Sequence, residues 1–190
     1  MSTSWNARWK AWWCGSWPCA SPWRAICQII AGLKISSDLE RIADYASNVA
    51  KRSIALNQTP PVKPVSGIPR MGRLGSGMIK DVLDAFVERD AEKALSVWLR
   101  DEEMDDLYTS LFRELLTYMI EDPRNITPCT HLLFMAKNLE RIGDHTTNIA
   151  ETVYFLVHGT ALVQVRPKRD RTTLPVAGDP DDHPETGGQA

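Results

Sequence analysis

Two stretches set one hundred residues apart are near copies of each other: DLERIADYASNVA at 38–50 and NLERIGDHTTNIA at 138–150. Seven of the 13 aligned positions are identical: Leu39/Leu139, Glu40/Glu140, Arg41/Arg141, Ile42/Ile142, Asp44/Asp144, Asn48/Asn148 and Ala50/Ala150. A single offset shared by every pair indicates duplication of a whole unit of several helices. The chain is therefore expected to fold as related helical units, each copy of the motif holding the same place in its own unit.

The apolar spacing supports an all-α class. One helix is predicted over 22–57, ended by TPPVKPVSGIP at 59–69, where four prolines forbid helical continuation. A second is predicted over 69–89, with Met71, Leu74, Met78, Val82 and Phe86 recurring at three and four residues. A third runs over 91–121 along Met104, Leu107, Leu111, Leu115 and Met119 and stops at Asp122-Pro123. The last begins near Asn125 or Thr127 and reaches His158, with Gly159 as its C-cap. The plan is thus four long helices: an atypical N-terminus over 1–23, one helix of a first unit over 24–58, a linker over 59–68, a complete second unit over 69–160 and a tail over 161–190. That tail is rich in Pro, Gly, Asp, Arg and Thr without an apolar period, and is expected to be disordered.

At 100° per residue, Leu39, Ile42, Ala46 and Val49 share one side of the first copy, and Leu139, Ile142, Thr146 and Ile149 share the matching side of the second. Those faces are predicted to enter the core. Glu40, Asp44 and Asn48 stand at i, i+4 and i+8 on the other side, as do Glu140, Asp144 and Asn148, so packing does not require them. Two carboxylates one turn apart with an amide beyond form an oxygen ladder of the kind that hard cations and iron accept, and two ladders on related helices can share an ion cluster. Arg41 and Arg141, three residues before each Asp, are placed to pair with the acids when no ion is present. A charge row at this spacing is equally what a solvated helix face looks like, and both readings stand at this point.

With 22 basic and 24 acidic side chains and a formal charge of -2, the overall balance gives no reason to expect nucleic acid or an anionic membrane as partner. No run approaches the roughly 18 apolar residues that a bilayer demands. No signal peptide is read before Cys14, Cys19 and Cys27, and no CxxC pair occurs, so the four cysteines fit a reducing cytosol better than a disulfide framework. The first 27 residues are foreign to the rest: they hold Trp5, Trp9, Trp12, Trp13, Trp17 and Trp23 and no acid. Two readings fit them, an aromatic and basic binding arm or translation in the wrong frame.

LERIADYASN and LERIGDHTTN, each on a long helix with a proline-rich linker between the units, resemble the paired motif of the PhoU family, as do the lead-ins KISSDLERI and MAKNLERI. The resemblance spans about 24–159. It implies tandem three-helix bundles with the motif on the third helix of each, so that this chain would lack the first two helices of the first bundle. It further implies metal, as iron, manganese or magnesium, at Glu40 with Asp44 and at Glu140 with Asp144, to which Asn48 and Asn148 are adjacent oxygen donors. The implied role is a cytoplasmic, homodimeric, negative regulator of phosphate uptake and phosphate-regulon signalling. Its partners would be the ATPase of the phosphate ABC transporter and a sensor histidine kinase, and no catalytic activity comes with it.

Two other classes are weighed against this. A di-iron carboxylate oxidase needs an inward Glu-x-x-His, and the positions three after Glu40 and Glu140 are Ala43 and Gly143. A metal-free helical scaffold would use the acidic ladders only to meet basic protein surfaces. His145 follows Asp144 and could ligate, but its counterpart in the first copy is Tyr45, so a local surface or core role is expected of it. No glycine-rich phosphate loop or GxSxG elbow is present.

Overall fold

A computed structural model describes residues 21–58 and 66–162, with side chains described from Ile26 onward. Most of the N-terminal segment, the linker and the tail therefore lie outside the described residues. Among the described residues there is no strand, and the helices are α1 (Ser21–Leu56), α2 (Gly67–Glu88), α3 (Ala91–Leu99), α4 (Asp101–Glu121) and α5 (Ile126–His158), with a 3-10 turn at Pro123–Asn125 before α5.

Local chemistry sets most of the helix ends. Arg89 closes α2 in the left-handed region at φ 56, and the next residue, Asp90, accepts hydrogen bonds through its carboxylate from the backbone N–H groups of Glu92 and Lys93 at 2.9 and 3.0 Å. A cap of this kind stabilises a helix start by about 1 kcal/mol. Asp122 caps the 3-10 turn in the same way, accepting from the Arg124 N–H, and Gly159 ends α5 at φ 70.

The single helix expected over 91–121 is interrupted at Arg100. Its backbone stays right-handed at φ -70 and ψ -11, but its N–H is shared between the carbonyls of Ser96 and Val97, which tightens the turn. The Arg100 guanidinium reaches across to Asp81 of α2 at 2.6 Å. The acids Asp101, Glu102 and Glu103 then favour a fresh helix N-terminus. No proline or glycine marks this break.

The core takes in most of the predicted stripe residues, with Phe86, Leu107 and Met119 only half-buried at its edge, and adds α3 residues and others that no stripe marked. Met71, Met78 and Val82 of α2, Val97 and Trp98 of α3, Met104, Leu111 and Leu115 of α4, and Ala136, Ile149 and Val153 of α5 are all buried. Helix α5 is the centre and touches every other helix, whereas α1 packs on α5 and on no other helix. The two run antiparallel: Asp38 meets His145, Tyr45 meets Arg141, and Arg52 meets Phe134. So the two copies of the repeated motif pack against each other. On α1 the buried stripe is Ala31, Ile35, Asp38 and Ile42, continued by the half-buried Tyr45 and Val49. Ala46, expected on the core face, is exposed, because the contact with a single neighbouring helix is narrow.

Candidate functional site

The two carboxylate ladders have the same spacing but different surroundings. Glu40, Asp44 and Asn48 are all exposed on the side of α1 away from α5. Glu140 is only 5% exposed, and Asp144 and Asn148 are half-buried. The expectation that the second row points away from packed neighbours is therefore corrected. A helix at the centre of a bundle has neighbours on more than one side, so the face opposite its first contact is covered too. The two ladders do not meet, and the charges that act on Glu140 come from Asp144, Lys137 and Asp105, none from α1.

What faces the second ladder is the start of α4. Asp101 and Asp105 are both buried, at the same four-residue spacing as Glu140 and Asp144. A Cβ built on Gly143 would sit 3.0 Å from Asp101 Oδ1, so this glycine is what lets the Asp101 carboxylate come so close to α5. Sequence reasoning misses Asp101 and Asp105 because they sit in the run DEEMDD, which reads as ordinary N-terminal charge favoured by the helix dipole. The signal that finds them is the Asp-x-x-x-Asp spacing itself.

Four carboxylates thus line one seam between α4 and α5. Burial, reinforced by Asp144 and Asp105, pushes the Glu140 carboxyl above the usual glutamate range, and Lys137 works against this. The Lys137 ammonium lies 3.1 Å from Glu140 Oε2 as its counter-charge, without a well-aligned hydrogen bond, and its Nζ also lies 4.8 Å from the centre of the Tyr108 ring. The donor chemistry suits a hard cation. The arrangement is not a finished cage: among the described residues no three His, Cys, Asp or Glu side chains are grouped to hold an ion, and the Lys137 ammonium fills the cationic role.

The arginines serve elsewhere. Arg141 lies over the Tyr45 ring at 5.8 Å, and both Arg41 and Arg141 are exposed. His145 has the local role expected of it. Its Nδ1 is 2.9 Å from Asp38 Oδ1, and its ring lies 5.6 Å from that of Tyr45, its own counterpart in the repeat. It belongs to the α1–α5 contact and not to the acidic seam.

The profile of the PhoU domain matches residues 18–53 and 68–153. The chain is 53% identical over 150 residues to a phosphate-specific transport system accessory protein PhoU homolog of Xylella fastidiosa, covering 79% of this chain and 62% of that one. It is 54% identical over 142 residues to the homolog of Caulobacter vibrioides, covering 74% and 62%. The crystal structure of PhoU from Pseudomonas aeruginosa superposes with a TM-score of 0.71 at 41% identity, covering 77% of this chain and 69% of that chain. The phosphate transport system regulatory protein PhoU from Streptococcus pneumoniae does so with a TM-score of 0.68 at 29% identity, covering 74% and 67%. The chain spans 62% of the length of these two curated relatives.

Proposed function

Because the chain belongs to the PhoU family, we propose that it is a non-catalytic accessory protein of phosphate-specific transport that restrains phosphate uptake and phosphate-regulon signalling. The observation that carries this is the 53% identity to an accessory protein of that system over a stretch of 150 residues. The proposed partners are the ATPase of the phosphate ABC transporter and a sensor histidine kinase, and the proposed setting is the cytoplasm, as a homodimer. None of the described helices is long and apolar enough to cross a membrane. The test is expression in a phosphate-replete cell lacking its own family member. Repression of a regulon reporter is expected, and a reporter that stays derepressed while the protein accumulates would overturn the role.

The proposed ion is a divalent or ferric cation, of iron, manganese or magnesium, held by Glu140 and Asp144 together with Asp101 and Asp105. These residues supply only hard oxygen donors, and binding requires Lys137 to give up Glu140. Protein purified without chelator is expected to retain the metal, and Glu140→Ala with Asp144→Ala to lose it. Unchanged metal content in that double variant would refute the site. The Lys137–Glu140 contact specifically favours a second reading, a metal-free scaffold in which the ammonium is the permanent counter-charge. Metal-free protein from every purification would select it.

A further inference from the structure

Three glycines admit the junction between α3 and α4. On α2, a Cβ at Gly75 would lie 3.6 Å from Met104 Cε and one at Gly77 would lie 3.4 Å from Arg100 Nη2; on α5, one at Gly143 would lie 3.0 Å from Asp101 Oδ1. Two consecutive residues therefore part ways: Arg100 lies across α2, and Asp101 turns to α5. Gly77 and Asp81 are one turn apart on α2, so the side chain absent at 77 leaves the path by which the Arg100 guanidinium reaches Asp81 Oδ2. That bond is short, at 2.6 Å, and charge-assisted. It also offsets an electrostatic cost: a cation at the start of a helix opposes the helix dipole, and Arg100 directly precedes α4 without giving it a side-chain cap. The turn is tight, since the Arg100 N–H is shared between two carbonyls and the Glu103 N–H donates to the Arg100 carbonyl at 3.1 Å. Dihedrals of φ -70 and ψ -11 are compatible with an uninterrupted helix as well, so the backbone at Arg100 does not hold the break by itself.

We infer that the Asp81–Arg100 pair is the positioning element of the acidic seam. By clasping Arg100 to α2 it fixes the tightened turn, and through the peptide bond to Asp101 it sets how closely that carboxylate approaches Gly143 and the helix that carries Glu140. Neither Asp81 nor Arg100 lines the seam; both act through the first turn of α4. A movement of α2 against the junction is thereby transmitted to Asp101, and cation binding at the seam in turn tightens the junction, because coupling between two sites is reciprocal. The positioning role holds with or without an ion, whereas its effect on ion affinity rests on the ion reading above. The neighbouring pair of Lys93 with Glu88, 3.1 Å apart, also joins α3 to α2 but lies at the turn between them, away from the junction.

The test is amide hydrogen exchange over the first turn of α4 in the ion-free full chain, with manganese(II) titrated into the same proteins. Asp81→Asn and Arg100→Gln are each expected to leave far-UV helicity unchanged, because both side chains are partly exposed. Each is expected to speed exchange over that turn about two- to fivefold, the size that a partly exposed ion pair gives. The double variant is expected to exchange no faster than either single one, since one contact can be lost only once. Lys93→Gln is the control and is expected to leave this turn as it was. Manganese affinity is expected to fall by a similar factor in the two single variants. Unchanged exchange in them, additive effects in the double variant, or equal acceleration by Lys93→Gln would overturn the positioning role whatever the ion does. A wild type that takes up no manganese would overturn the ion reading and leave the exchange results to decide the positioning role. Faster exchange with unchanged manganese affinity would overturn the transmission to the seam.

Discussion

Gly143→Ala tests whether α4 and α5 close on each other along the acidic seam. The added Cβ would lie 3.0 Å from Asp101 Oδ1 and 3.3 Å from Met104 Cγ. Met104 is fully buried and Asp101 nearly so, and both belong to the first turn of α4. Neither atom is the far end of a long flexible chain, so relief requires α4 itself to shift. Overpacking of this kind costs about 1–3 kcal/mol. Alanine is otherwise the better helix former by about 1 kcal/mol, so the net loss expected is about 0–2 kcal/mol. Gly72 of α2 provides the control, since a Cβ there meets nothing within 4 Å. Gly72→Ala should collect the helix-propensity gain alone and stabilise by about 1 kcal/mol. The difference between the two variants, about 1–3 kcal/mol, isolates the steric part because the unfolded-state effect of a Gly-to-Ala change is common to both. Urea unfolding followed by far-UV circular dichroism measures it, and thermal unfolding should show about 2–4 °C for each kcal/mol in a domain of this size. Equal stabilisation by both substitutions would refute the close approach at Gly143.

Three further outcomes follow from the same contacts. Asp38→Ala or His145→Ala removes a side-chain hydrogen bond between α1 and α5 and leaves its partner half-satisfied in a largely covered site, so each is expected to weaken α1 docking by about 2 kcal/mol. Hydrogen exchange confined to α1 should accelerate, and unchanged protection there would contradict the docking account. Glu140 has a folded pKa raised by burial, so the folded state holds more protons than the unfolded one; the stability this group contributes is full below its unfolded pKa and is lost as pH rises through the raised value. Glu140→Gln should therefore flatten that decline and leave the ion-free protein more stable at neutral pH in denaturation across pH; a steeper decline would contradict the buried assignment. Cys129 is fully buried, and burial pushes its thiol pKa up, whereas Cys27 is half-buried. Alkylation of the native protein should reach Cys27 well before Cys129, as mass spectrometry of digested samples would report.

Helix ends were legible in the sequence wherever one residue imposes them. The predicted end at residue 57 ahead of the prolines, Asp122-Pro123 before α5 and Gly159 after it fall within a residue or two of the observed boundaries. Arg100 carries no such mark, because its interruption depends on a tertiary reach to Asp81, and a periodic apolar stripe passes through it undisturbed. The repeat told which helices are related but not that they pack on each other. Nor did it show that their crossing falls where the copies differ, with Tyr45 against His145 and Asp38 rather than Asn138 supplying the hydrogen bond.

The same limit explains the site. A helical wheel assigns one inner and one outer face, which describes α1, held by a single neighbour, and fails for α5, which packs against every other described helix. Identical Glu-x-x-x-Asp pairs therefore become chemically unlike: in the first copy they lie in water, where a cation is screened and the pair alone offers few donors. In the second copy they are drawn from water and faced by Asp101 and Asp105; burial, with Asp144 and Asp105, raises the Glu140 pKa, while Lys137 beside Glu140 works against this. If an ion is retained, its amount should fall on Asp101→Ala or Asp105→Ala as it does on Asp144→Ala, and persist in Glu40→Ala with Asp44→Ala. Loss of metal in the α1 double variant, with retention in the α4 variants, would reverse the assignment and show that the shared spacing, rather than the surrounding acids, decides where the ion sits.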